Sequence, residues 1–559
     1  MKRSKDWAPA QATLLPPSPM DWLKEDHLVY FLLDLLPKLD LREIEAVIQA
    51  KDARGSRPYN ARMMVGLLLY GYCVGIVSSR KLEKATYENV AFRVLCADNH
   101  PDHSVISLFR KTHLKALGGL FHQILRLCSE AGLVKLGHVA LDGTKLKASA
   151  SRHKANSYAG LEKNEERLIA EIEDLLRQAE EADAVEDEKY GKDRTGDELP
   201  KELKLRSDRL RVIEEAKAAL EAEAALTKAL EKKSQAAASA KKANAAGADD
   251  AAAKARAERS DALANEAANE ALERTAKIAE DAAQRAKELR EKASSALEKA
   301  QATRAEKAAK KAEEAHANAT SALCEVEPSQ ENGPDEDKDG DQNDDPGASE
   351  ADLSMPPRRV KADANGDPVK NAQRNFTDPD SQLMKDGNGF SQAYNCQAAV
   401  DEAHQVIVAA GLSNQANDSQ HLKPMLKAVI DNCGGVPETF TADAGYSSEE
   451  NLALCADIKT DAYIPSRRKT APSGDGEESK TGTSSKTPRA DLMDAKLSTD
   501  EGQEKYGRRK YVGEAPFGNI KAARGFRQFL LRGIDQVREE WLLICAGHNL
   551  LKMFRAVGG

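Results

Sequence analysis

The sequence predicts a mixed α/β chain with three parts: an all-helical N-terminal domain, a mixed five-stranded sheet with helices packed on it, and a long helical insertion after the sheet's first strand. Three observations carry this. Apolar residues recur at helical spacing, i, i+3/i+4 and i+7, through most of residues 14–130. Strand-like runs appear at 133–148 and again only from 389 onward. Between them lie heptads and an Ala-rich tract.

The segments "DHLVYFLLDLLPKLDLREIEAVIQ", "NARMMVGLLLYGYCVGIVSSRKLEKATYENVAFRVL" and "SVISLFRKTHLKALGGLFHQILRLC" are separated by the turn-forming "PYN" and "DNHPDH". They define an all-helical domain over 11–130. Arg110, Lys111, His113 and Lys115 are expected on the polar side of one helix, as a nucleic-acid-facing helix would place them, although a solvated face is the commoner arrangement.

The sheet begins in "GHVALDGTKLKA", and 133–154 form its first part. It resumes over 356–465, where "GFSQAYNCQAAVDEAHQVIVAAGLS" reads as a hairpin around "VDEAHQ". "DSQHLKPMLKAVIDNC" follows as an amphipathic helix, "TFTADAG" as a strand, "SSEENLALCAD" as a helix and "DAYIPS" as the last strand.

The insertion spans 155–325. Leu161, Leu168, Ile172 and Leu175, then Leu203, Leu210, Ile213 and Leu220, suggest two helices of an antiparallel hairpin broken at "YGKDRTGDELP". From about 222 the composition falls to Ala, Lys, Glu and Arg, which favours helix yet offers little to bury; a long, lightly packed helix is expected. Residues 326–355 are acidic and rich in Gly and Pro, the composition of a disordered linker, and 466–500 read as a polar flexible loop. The C-terminal block, 501–559, reads as helical.

Charged residues make up 31% of the chain and aromatics 5%, too polar for one compact globule throughout. The net charge of −9 would argue against a nucleic-acid partner, but much of it sits in the acidic linker. The C-terminal block is basic, with Lys505, Arg508, Arg509, Lys510, Lys521, Arg524, Arg527 and Arg532. The eight cysteines show no metal-ligand spacing and read as buried, reduced thiols. No apolar signal core opens the chain and no run of ~18 apolar residues occurs, so a soluble, cytoplasmic protein with no membrane partner is expected.

The chemistry rests on three acids. Asp142 is read at the end of the first strand, Asp443 at the end of "TFTADAG", and Glu514 at the start of a helix. Singly, each has a commoner explanation: Asp-Gly is usually a turn, and a first-turn Glu usually complements the helix dipole. Together, at strand ends and on an adjacent helix, they can converge at one edge of the sheet. Three carboxylates without His or Cys suit two Mg²⁺, with Mn²⁺ able to substitute, better than Zn²⁺. Such a pair activates an attacking hydroxyl and stabilises the leaving oxygen of a phosphodiester. Lys145 and Lys147 are phosphate candidates, as is His153; His138 is assigned to core or solvent, and Trp541 to the core.

The blocks "LDGTKLKASASRHKANSYAGLEKNEERLIAEIEDLL", "TDPDSQLMKDGNGFSQAYNCQAAVDEAHQVIVAAGLSNQANDSQHLKPML", "TADAGYSSEENL" and "EAPFGNIKAARGFRQFLLRG" resemble those of bacterial DDE insertion-sequence transposases. The N-terminal "LLPPSPMDWLKEDHLVYFLLDLL" and "LLLYGYCVGIVSSRKLEKATYENVAFRVL" resemble the helical domain that precedes the core in that group. The resemblance covers most of 11–230 and 356–555. It implies a ribonuclease-H-like core and metal-binding catalytic roles for Asp142, Asp443 and Glu514. The family's Tyr-Arg-Glu-Lys signature falls on Tyr506, Arg509, Glu514 and Lys521, with Glu514 and Lys521 on one face of a helix. One residue more than that branch usually has separates Arg from Glu, which makes Lys510 a rival for the Arg role. The implied activity is cleavage at transposon ends and strand transfer into target DNA. The implied partners are double-stranded DNA, as terminal inverted repeats and target, and a second copy of the chain in a homodimer; the implied location is the bacterial nucleoid. Three rivals stay open: a catalytically inactive DNA-binding derivative, a coiled-coil scaffold, and a ribonuclease-H-type nuclease without strand transfer.

Overall fold

The structure is a computed structural model describing residues 18–50, 58–190, 201–245, 251–292, 296–324, 355–356, 358–363, 366–386, 389–466 and 488–557. In chain order, seven helices come first: α1 (Leu28–Leu35), α2 (Arg42–Gln49), α3 (Ala61–Val74), α4 (Ser79–Glu88), α5 (Val90–Leu95), α6 (His103–Thr112) and α7 (Leu114–Glu130). Next are β1 (His138–Lys147), β2 (Ala155–Ser157), α8 (Tyr158–Tyr190), α9 (Lys201–Ala245), α10 (Ala251–Lys292), α11 (Ala296–Cys324) and β3 (Gln373–Asn375). The chain continues through β4 (Gln382–Asp386), β5 (Gly389–Asp401), β6 (Ile407–Ser413), α12 (Leu422–Cys433), β7 (Thr439–Ala442), α13 (Glu449–Asp457) and β8 (Asp461–Tyr463). It ends in α14 (Pro488–Leu497), α15 (Asp500–Gly507), α16 (Arg509–Val512), α17 (Glu514–Gly518), a π-helical turn over Asn519–Ala523, and α18 (Ile534–Val557). Two compact units result, one of 1–149, 349–356 and 384–559, the other of 150–348 and 357–383.

The first unit centres on a sheet in which β1 lies between antiparallel β5 and parallel β7; β8 continues parallel beyond β7, and β6 pairs antiparallel with β5. The five expected strands are present, and β4 adds a sixth that pairs with β5. Its sequence, QLMKD, is too short and polar to show a strand period. The helical N-terminal segment belongs to the same unit: α18 packs on α7, α3 and β6. Polar groups stitch this packing where the ladder breaks. The β5–β6 register shifts at Ala399/Val400, and the Asn549 amide takes both backbone groups of Ile407 at 2.8 and 2.9 Å. Arg524 is buried and donates to Tyr72 O and Ile544 O. Local signals set the helix ends: Asn60, Asn89 and Asp102 accept from the first-turn N–H groups of α3, α5 and α6, and Gly75, at φ +79°, closes α3.

Two expectations for this unit are corrected. Arg110 and His113 do not face solvent: both are buried, and Arg110 donates at 2.5 Å to Val77 O beyond the end of α3. The stretch read as a loop over 466–500 contains α14, which starts at a proline and is tied to Ser466 by Asp494 at 2.6 Å. The remainder of that stretch, 467–487, and the acidic linker lie outside the described residues, as does most of "YGKDRTGDELP". Six of the eight cysteines are buried; Cys324 is exposed and Cys433 half-buried, and none is paired. No single helix among the described residues is long and apolar enough to cross a membrane.

In the second unit α8 and α9 pair antiparallel through Leu161, Leu168, Ile213 and Leu220, flanked by Glu165–Lys217 and Glu171–Arg206. The Ala-rich tract is not one long helix. It folds into the end of α9, α10 and α11, which pack on one another around Ala225, Ala229, Ala267, Ala268, Ala271 and Leu323. Alanine buries little area per residue, but its small side chain lets helix axes approach closely, so close packing replaces bulk. Ala229→Leu should therefore destabilise this unit by about 1–3 kcal/mol, because three added heavy atoms have no space to enter. Far-UV circular dichroism melts would show it, and an unmoved midpoint would refute the close-packed interface.

Candidate active site

β1 does not end at Asp142. It runs on through Gly143, which pairs with Gln397 of β5, so the Asp-Gly step is strand rather than turn. Asp142 does sit at an edge of another kind. The parallel partner β7 stops at Ala442, opposite Leu141, and Asp443 follows directly. Two aspartates on neighbouring parallel strands therefore stand at the same level, just where the inter-strand ladder stops. Asp443 caps the 3-10 turn Ala444–Tyr446, accepting from Gly445 N at 2.7 Å.

Glu514 comes near this edge as the first residue of α17. Gly513, before it, lies against β1: a methyl group there would be 3.3 Å from Asp142 Cβ and 3.6 Å from Ala140 Cβ. That close approach lets the start of α17 rest on the strand. Arg509 joins the acids, with Nη1 3.6 Å from Asp142 Oδ2 and Nη2 3.4 Å from Glu514 Oε1. Asp142 is buried, whereas the Glu514 side chain is 54% exposed. Burial pushes the Asp142 carboxyl up to about 6 against the pull of Arg509 and the Gly143 N–H, and Asp443 and Glu514 push it the same way. Burial opposes the Arg509 charge, but Asp142, Tyr506, Asp443 and Glu514 outweigh it and raise that group. Three hard-oxygen donors whose mutual repulsion one guanidinium only partly offsets fit divalent cations.

The other expected residues take separate positions. Tyr506, on α15, places its ring centroid 5.7 Å from the Arg509 guanidinium. Arg509 rather than Lys510 spans the acids; Lys510 is exposed. Lys521 lies in the π-helical turn, so the seven residues from Glu514 are not two regular α-helical turns, and the expected shared face is corrected. Its charge is felt by Cys396, which pairs with Thr144 two residues beyond Asp142. Lys147 is exposed and held by backbone bonds to Arg527 O and Phe529 N. Lys145 is mostly buried and points to Asp418 at 3.4 Å. His153 is exposed in a short 3-10 turn. His138 is buried between Glu402 and Thr441, and Trp541 is fully buried, both as expected.

Sequence reasoning missed Asp418. The sequence pattern puts it at the start of an amphipathic helix, but α12 begins only at Leu422. Burial pushes its carboxyl up, yet His421, Lys145 and Asn395 outweigh that and bring it to about 2. The only sequence signal was an Asn-Asp pair before the helix, common wherever a loop needs a local cap.

Residues 17–112 match the family described as Transposase domain (DUF772), and residues 473–554 match the family described as Transposase DDE domain. The second match contains Tyr506, Arg509, Lys510, Glu514 and Lys521; Asp142 and Asp443 lie between the two matches. No curated protein and no solved structure matches the chain. The two separate matches, one at each end, bear out the chain's resemblance to the insertion-sequence transposases of the DDE type.

Proposed function

We propose that this transposase cleaves DNA at transposon ends and transfers the strand into target DNA, using Asp142, Asp443 and Glu514 to hold two Mg²⁺ or Mn²⁺. The observation that carries the reading is the placement of Asp142 and Asp443 side by side where β7 ends, with Glu514 linked to Asp142 through Arg509. The strand order, with central β1 antiparallel to β5 and parallel to β7, supports a ribonuclease-H-like core. Divalent ions bound there would supply activation of the attacking hydroxyl and neutralisation of charge at the scissile phosphate.

The chain's own residues do the rest. The three carboxylates fix the positions of positive charge. Arg509, with Tyr506 against it, and Lys510, Lys521 and Lys147 supply cations for the flanking phosphates. Lys145, held by Asp418, acts within the fold rather than on DNA in this reading. The reaction is hydrolysis of a phosphodiester at the element end, then in-line attack of the freed 3′-hydroxyl on target DNA. Pairing two ends calls for a homodimer.

The test uses duplex DNA carrying the inverted repeats that flank the reading frame. Wild-type protein should nick it in Mg²⁺ and not in EDTA, and Asp443→Asn should lose nicking. Undiminished nicking by Asp443→Asn would sink the reading.

A further inference from the structure

We infer that Asp418 is a positioning residue for the acid pair: from the opposite face of the sheet it braces the glycines beside Asp142 and Asp443, and so fixes where the two carboxylates stand. This rests on reading those acids as ion ligands. Side chains alternate along a strand, so Asp142 occupies one face of β1 while Gly143 and Lys145 occupy the other. On that second face the β5 partners of Gly143 and Lys145 are Gln397 and Asn395. Asp418 arrives there from the segment between β6 and α12.

One oxygen, Oδ1, gathers the donors: Asn395 Nδ2 at 2.6 Å, Gln397 Nε2 at 3.0 Å and Lys145 Nζ at 3.4 Å, with His421 Nδ1 3.6 Å away. The Gln397 amide oxygen then accepts from the hydroxyl of Tyr446, the last residue of the turn that Asp443 caps. A continuous hydrogen-bonded path thus runs from the strand carrying Asp142 to the turn carrying Asp443. The glycines complete it. A methyl group at Gly143 would lie 2.5 Å from Gln397 Nε2 and 3.3 Å from Asp418 Oδ1, and one at Gly445 would lie 3.4 Å from Asp418 Oδ2. Each oxygen of a single carboxylate packs against one of the two glycines. Asn451 of α13 reinforces the brace, donating to Ser419 O at 2.8 Å and Tyr446 O at 2.7 Å.

A polar network of this size on a buried sheet face is a poor source of stability, since apolar side chains of equal volume would do as well without desolvating charge. Its distinctive contribution is geometric. Hydrogen-bonded groups behind metal-ligating carboxylates typically govern affinity by ~10–100-fold.

The experiment titrates the full-length protein with Mn²⁺ alone and reads free ion by electron paramagnetic resonance, with circular dichroism on the same samples. Asp418→Asn and Tyr446→Phe should each raise the Mn²⁺ concentration at half-saturation by about tenfold with the dichroism spectrum unchanged. The double variant should be little worse than the poorer single one, because both cut one path. Should Asp418→Asn fail to fold, Tyr446→Phe, which deletes only a hydroxyl, decides alone. Wild-type Mn²⁺ binding in these variants, alongside its loss in Asp142→Asn, overturns the inference and spares the site. An absence of Mn²⁺ binding in wild type, or its survival in Asp142→Asn, refutes the ion-ligand reading and the inference with it.

Discussion

Asp142→Asn should reduce Mg²⁺-dependent DNA nicking by on the order of a thousandfold or more, while leaving binding of the same DNA intact. The substitution changes one oxygen to an amide nitrogen at nearly constant volume, so β1 keeps its register with β5 and β7. What disappears is a buried anionic donor at the point where two strands part. DNA affinity measured without divalent ions should hold or rise slightly, because the variant lacks a negative charge that would repel the phosphate backbone. Thermal stability without divalent ions should not fall either. Asp142 is buried near two other acids, and an uncharged side chain there is cheaper to desolvate than a carboxylate. Filter binding, nicking and a thermal melt on one preparation distinguish this from simple unfolding: a variant that melts early and binds no DNA would mean Asp142 holds the fold together.

The second large effect is expected at Trp541→Ala, at about 3–5 kcal/mol of lost stability. The indole is fully buried in α18, donates through Nε1 to Gln397 O at 3.2 Å, and stacks on Phe517 with ring centroids 6.2 Å apart and planes 10° from parallel. Its removal leaves a cavity, strips a partner from a buried carbonyl and loosens α17, whose first residue is Glu514. Activity should therefore fall further than the folded fraction does, since Glu514 loses the packing that holds its helix against the sheet. Trp541→Phe keeps a ring and should cost roughly 1–2 kcal/mol, from the lost indole hydrogen bond and the smaller ring. Denaturant melts measure both, and equal midpoints for Trp541→Ala and wild type would show that the indole is not part of the core.

The elements that sequence made legible are those with a strong period or a strong break. The β5–β6 hairpin, β7, α13 and β8 fall where alternation and turn residues placed them, and α12 lies within its amphipathic segment but starts at Leu422 rather than Asp418. Asp142, Asp443 and Glu514 are proposed as a set from their positions at two strand ends and a helix start together with the family resemblance, since each acid singly has a commoner explanation. That Asp142 lies inside its strand was not legible, since whether Asp-Gly turns or runs on depends on Gln397, more than 250 residues away. Short polar elements escaped for a related reason. β4 is fixed by pairing to β5, and α14 by the Asp494 bond to Ser466, neither of which leaves a mark on local composition. Arg110 shows the same limit in reverse: its charge suggested a surface, while its partner is a carbonyl supplied by a different helix-to-helix turn. Asp418 was the costliest omission, because a residue that works through four others has no pattern of its own.

Arg509 seats its guanidinium against Asp142 and Glu514, two of the three acids that the proposed chemistry assigns to ion binding. The resting site thereby carries a tethered cation of its own. On the proposed reading, loading a divalent ion would be an exchange rather than a simple filling, and the displaced guanidinium would gain most with a phosphate within reach to receive it. Substrate and ion each make room for the other, so their affinities are linked reciprocally.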